Sequence, residues 1–300
     1  MKHTLAATSF LIGLFVVSQI VGLATVNTYI QVDQNEDGTV DILHEDTVIG
    51  EQVDLTQQEK TYTFIAIIIM VLLGTGILLL IIRYKLGLVW KSWFFIAIAL
   101  TLTISFDVYI TRWLALFLGV SLALVRILKP NVMVHNLTEI FVYTGISIML
   151  VPLLNVISGV ILLILISIYD MFAVWKSKHM VKLAEFQLES KSFAGLALNY
   201  HLPATGKKHA QGKKSGHTAI LGGGDIAFPL LFSSAVMEHL IIARAIPKLE
   251  ALLYSLIITA GAALALTFLL FSSKKDRFYP AMPFITAGCF IAYFLILLIV

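Results

Sequence analysis

VISGVILLILISIYDMFAVW, residues 156–175, contains a single charged residue, Asp170, in a run of 20. At 1.5 Å per helical residue such a run reaches about 30 Å, the thickness of a bilayer's hydrocarbon core. Similar runs recur near 5–25, 62–82, 92–110, 113–128, 137–154, 218–237, 249–272 and 280–299. Together they predict an all-α polytopic membrane protein with nine transmembrane helices. Of the 300 residues, 59% are hydrophobic and 13% charged, whereas soluble domains carry about a quarter charged residues. The first run is also longer than the roughly 7–15 residues of a cleaved signal core, so it reads as a retained span.

Cations set the expected orientation, because Lys and Arg flanking a span resist translocation. With the N-terminus cytoplasmic, 17 of the 21 Lys and Arg residues fall on inner segments, and only Lys60, Arg112, Arg244 and Lys248 fall outside. The C-terminus is then extracytoplasmic. Residues 26–60 become an outer acidic loop with nine carboxylates against Lys60, and its alternating DGTVDIL stretch (37–43) suits a short strand or hairpin. The chain divides into a six-span part (1–175), a basic cytoplasmic loop (176–217) and a three-span part (218–300). That loop opens with KSKHMVKLAEFQLESKSFAGLALNY (176–200), a candidate extension of the sixth helix. It closes with GKKHAQGKKSGH (206–217), a polar, glycine-bearing linker drawn to anionic lipid. The net charge of +3 is spread over such loops, which excludes a nucleic-acid-binding face.

The lone cysteine, Cys289, excludes an internal disulfide and a Cys-ligated metal. Informative residues are instead the ionisable groups within the apolar runs, each costly in hydrocarbon unless paired, neutralised or hydrated. Asp107 beside Arg112, and Glu139 at the inner end of the fifth run, read as satisfied structural groups. Glu238 and His239 read as interfacial. Asp170 and Asp225 have no such explanation. Asp170 lies six residues, about 9 Å, before Lys176, and Asp225 lies eight residues, about 12 Å, beyond His217. Both distances start from the inner face, so the carboxylates fall at similar depth and can face one another.

Two facing carboxylates in a low-dielectric site share a proton, leaving one a base and its neighbour an acid. That arrangement serves peptide hydrolysis by water. It equally serves a proton or ion pathway, and the carboxylates alone do not choose. Gly222, Gly223 and Gly224 before Asp225 remove side chains where a substrate backbone would approach, or else pack helices closely. FYPAMPFI (278–285) places Pro280, Ala281, Met282 and Pro283 at the start of the last run. Proline is ordinary in a first helical turn, and the same feature can hold an extended backbone strip beside a site. A zinc protease would need an HExxH pair and a rhomboid-like serine protease a GxSG turn; neither occurs.

Taken together, Tyr169-Asp170, Gly222-Gly223-Gly224-Asp225 (the GxGD pattern) and Pro280-Ala281-Met282 (where the family has PAL) resemble the presenilin and signal peptide peptidase family of intramembrane aspartyl proteases. Prepilin peptidases share GxGD but lack the other two motifs. SIYDMFAV and PAMP look closer to presenilin, LGGGDIAFP is also similar to signal peptide peptidase, and the compact loops look like a microbial presenilin homologue. The resemblance implies Asp170 and Asp225 as the catalytic pair, and Gly222 and Gly224 as required small residues with Gly223 between them. It makes Tyr169 a neighbour of the site and Pro280, Ala281 and Met282 one of its walls. Met282 replaces the family's leucine, a change of shape rather than chemistry. The implied protein is a multi-pass component of the cell membrane. It cuts transmembrane protein or peptide substrates within the lipid bilayer, without metal or organic cofactor. Ser192–Leu202 is the candidate segment for self-cleavage.

Overall fold

The computed structural model describes residues 5–34, 40–50, 52, 55–177, 180, 183, 186–187, 190, 192–200, 217–273 and 279–300. Among them run nine long helices: α1 (Leu5–Tyr29), α2 (Gln57–Arg83), α3 (Gly87–Asp107), α4 (Arg112–Leu128), α5 (Val132–Leu150), α6 (Val156–Met171), α7 (Gly223–Arg244), α8 (Lys248–Ser272) and α9 (Met282–Ile299). Two antiparallel hairpins accompany them, β1 (Ile30–Gln34) with β2 (Val40–His44) and β3 (Gly195–Tyr200) with β4 (His217–Gly222). Eight helices are long and apolar enough to cross a bilayer, α5 by continuing to Leu153 and α6 by continuing to Lys176. The remaining helix is α4, where the fourth span was expected. Its 17 residues reach about 26 Å, and it carries the buried Arg126.

The polypeptide runs up and down, and side chains tie each end of the bundle. At one end β1–β2 caps the helices. His44 Nε2 lies 2.7 Å from Glu238 Oε1 on α7, the Lys248 ammonium donates to Ile30 O at 2.5 Å, and Asn27 Nδ2 donates to Lys248 O at 2.9 Å. Glu238 is buried beneath this hairpin. The helix continues past it to Arg244, and the carboxylate is 3% exposed against a strand more than 190 residues away. The expected Asp107–Arg112 pair is present as a 3.8 Å contact.

The centre belongs to α7, which packs on α1, α5, α6, α8 and α9 and buries every residue from Pro229 to Glu238. By contrast α2 is peripheral and buries only Lys60, Ile67, Leu78 and Ile81. Its exposed Ile and Leu side chains suit a lipid-facing span, since hydrocarbon offers no penalty to apolar surface. Small residues set the closest crossings. A Cβ on Gly288 would stand 2.4 Å from Gly261 O between α9 and α8, and one on Gly145 would stand 2.0 Å from Thr101 O between α5 and α3.

One expectation fails where it matters for the site. Residues 218–222 are apolar enough for a span, yet they form β4, and the helix begins only at Gly223. Glycine is a poor helix former, and the run of Gly222, Gly223 and Gly224 marks the change from strand to helix. Asp225 consequently stands in the first turn of α7, not two turns inside it. The sixth helix runs on through a π turn, Phe172–Lys176; of the segment that follows, the described residues 180, 183 and 186–187 are helical, and residues 195–200 are strand. The linker at 206–217 lies outside the described residues except for His217.

Candidate active site

Asp170 is the last residue but one of α6 and is 5% exposed. Its Oδ2 accepts a hydrogen bond from the Met282 amide at 3.1 Å, and the Ala281 amide faces the same carboxylate. The amides at the start of a helix have no intrahelical acceptor, so an anion there meets both a donor and the positive end of the helix dipole. Of the two local readings of PAMP, the ordinary one, proline in a first helical turn, is what the structure shows. Pro283 sits in the first turn of α9, as proline commonly does, while the turn's free amide binds Asp170.

One turn along the same contact, Ser167 Oγ on α6 and Thr286 Oγ1 on α9 are 2.8 Å apart. This second polar pair fixes the register of α6 against α9, and with it the alignment of Asp170 with Met282. Tyr169 is rotated away by its neighbouring helical position. Its hydroxyl donates to Thr75 Oγ1 on α2 at 3.1 Å, linking the Asp170 turn to the peripheral helix.

Asp225 is partly buried in the first turn of α7, and its carboxylate folds back over Gly222. A Cβ at Gly222 would stand 3.2 Å from Asp225 Oδ2. This too is a carboxylate at a helix N-terminus. The two aspartates are close enough for their charges to act on one another. Gly224 is exposed, Ala281 partly so, and Pro280 and Met282 are buried. Asp170, Asp225, Gly222, Ala281 and Met282 therefore gather at one end of the bundle, where α6 ends and α7 and α9 begin.

The β3–β4 hairpin leads into this place, pairing Gly195 with Gly222. Helix α5 holds the outer edge of β3. Asn136 Nδ2 donates to Ala197 O at 2.8 Å, the Ala197 amide donates to Asn136 Oδ1 at 3.0 Å, and His135 Nε2 donates to Gly195 O at 2.7 Å. A set of polar groups that sequence reading assigned no part in the site lies behind the glycines. Arg126 pairs with Glu139, which accepts from the Tyr143 hydroxyl. Their signal was present in the sequence as Glu139 and Tyr143 one turn apart inside an apolar run.

Comparison with known proteins agrees with the motifs. The model of the family "Signal-peptide peptidase, presenilin aspartyl protease" matches residues 12–300. Among solved structures, a presenilin family intramembrane aspartate protease crystallised in space group C222 superposes with a TM-score of 0.62 at 14% identity. The match covers 98% of this chain and 99% of that one. A presenilin family intramembrane aspartate protease in space group P2 gives 0.60 at 16% identity, covering 97% of each chain. No curated protein matches. At such identities the two structures speak for the fold, while the family match spans nearly the whole sequence. The chain belongs to the signal-peptide peptidase and presenilin family of intramembrane aspartyl proteases.

Proposed function

We propose that this protease hydrolyses peptide bonds within transmembrane segments of other membrane proteins, with Asp170 and Asp225 as the catalytic pair acting on water. The observation that carries the reading is the convergence of two carboxylates onto one end of the bundle, Asp170 at the end of α6 against the first amides of α9 and Asp225 in the first turn of α7. Helix N-termini stabilise an ionised carboxylate, while proximity and burial oppose ionising both. The pair is therefore suited to hold one proton. The ionised member takes a proton from water as it attacks the scissile carbonyl. The protonated member donates to the developing oxyanion, and return of a proton to the amide nitrogen lets the tetrahedral intermediate collapse.

A substrate helix must unwind before its peptide bond can reach the pair, and its freed backbone groups then need partners. In this proposal β4 supplies them. Because α5 side chains occupy the outer edge of β3, an added strand has β4 on which to pair, and β4 runs directly into Gly222 and Asp225. In the same reading the N-terminus is cytoplasmic, the site lies near the cytoplasmic surface of the cell membrane, and residues 176–217 link a six-span to a three-span part.

The test uses purified protein in proteoliposomes with a single-span peptide, in heavy-oxygen water. The proposal expects two fragments, the new C-terminal carboxyl carrying one solvent oxygen. Aspartate-dependent ion flux with no fragments would instead support a transport pathway.

A further inference from the structure

Behind the glycines a closed circuit of contacts joins α4, α5, the segment before β3 and the first turn of α7. Arg126 is at its root. Its Nη1 donates to Thr138 Oγ1 at 3.1 Å, and its Nη2 donates both to Glu139 and to Phe193 O at 3.0 Å. The other carboxylate oxygen of Glu139 accepts from the Tyr143 hydroxyl. That hydroxyl packs on Gly223 so closely that a Cβ there would stand 2.8 Å from it and 3.1 Å from the ring's Cε1. The Gly223 amide donates to Ala194 O at 3.2 Å, and Ala194 follows Phe193, which closes the circuit at Arg126. Arg126, Glu139 and Tyr143 are each 4% exposed or less.

An ion pair in such a place is poor evidence for stability, because desolvating two charges offsets their attraction. Its better-attested use is to fix one arrangement where several are available. Here the available freedom is that of three consecutive glycines, which cost the backbone little to rearrange. Asp225 follows them by one residue, close enough for its charge to act on the Tyr143 phenol.

We propose that Tyr143, held by Glu139 and Arg126, is a positioning residue that fixes the backbone at Gly223 and so aims Asp225 at Asp170. The inference rests on the proposed catalytic pair. It also explains the middle glycine of the motif: Gly223 is small because the Tyr143 hydroxyl occupies the space a side chain would need. Tyr143 touches no reacting atom, and its effect passes through the main chain of α7.

The experiment is a double-mutant cycle of Tyr143→Phe and Gly223→Ala in purified full-length protein, with kcat and KM measured on a single-span substrate beside Asp170→Asn and Asp225→Asn. Positioning predicts that Tyr143→Phe lowers kcat by about tenfold or more with KM within about twofold, since misaimed catalytic groups cost rate rather than binding. Because both substitutions break the same contact, the double variant should be no slower than the slower single one. Losses that multiply, or Tyr143→Phe cutting at the wild-type rate while both Asn variants are dead, would overturn the positioning role and leave the catalytic pair standing. Asn variants that still cut would overturn both. If Tyr143→Phe does not fold, Glu139→Gln, of the same shape, takes its place under the same expectations.

Discussion

The Met282 amide donates to Asp170 Oδ2 at 3.1 Å across 112 residues of sequence, so the start of α9 is built around the carboxylate at the end of α6. The bond uses backbone, not side chain. Met282→Leu should therefore keep kcat/KM within about threefold, because the volume is similar and the donor unchanged. Met282→Glu brings a like charge beside Asp170 and should lose at least about tenfold. Steady-state cleavage of one peptide by the three proteins checks both.

The Ser167–Thr286 pair predicts a small, shared effect. Hydrogen bonds between membrane helices contribute roughly 0.6 kcal/mol on average. Ser167→Ala and Thr286→Val should each lower the thermal midpoint slightly, and the double variant little more than either. Calorimetry in detergent distinguishes this from two independent losses.

Gly145 predicts a large effect on the fold. Its absent Cβ would lie 2.0 Å from Thr101 O, and backbone cannot move aside as a flexible side chain can. Gly145→Ala should cost about 1–3 kcal/mol by overpacking. Gly13, with open space around its Cβ position, should accept alanine without loss. Thermal unfolding of both variants tests the contrast.

Burial of Glu238 against His44 predicts that losing the carboxylate leaves a buried histidine without its partner. Glu238→Ala should destabilise by about 1–3 kcal/mol, and Glu238→Gln, which can still hydrogen-bond, by less. The same melts compare them.

A shared proton sets the pH dependence. Activity requires one carboxylate ionised and one protonated, so kcat/KM should fall on the acid side as the base protonates and on the alkaline side as the acid ionises. A bell-shaped profile of cleavage against pH is expected; a single rising limb with no alkaline fall would contradict a shared proton.

The spans were legible because a 20-residue apolar run such as 156–175 has few alternatives in a chain this poor in charge. Asp170 and Asp225 were legible because ionisable groups stand out in such runs. The structure of residues 218–222 was not, since a short apolar segment reads alike as buried strand or helix until its partner is known, and that partner is β3. The burial of Glu238 was not legible for a related reason. Its partner, His44, lies in a hairpin at the far end of the sequence, and periodicity carries no information about such pairs. Glu139 was recognised as a satisfied group. What sequence could not supply was that its satisfaction runs through Arg126 and Tyr143 to Gly223, where packing alone brings four elements together.

The central claim is that Asp170 and Asp225 act as one catalytic unit. It is tested most directly by the cleavage rates of Asp170→Asn, Asp225→Asn and the double variant in proteoliposomes, with fragments identified by mass spectrometry. The account predicts that each single variant loses at least about 1,000-fold and that the double variant is no worse, as for groups that work together. Either single variant cutting at a rate near wild type, with the same fragments, would contradict it.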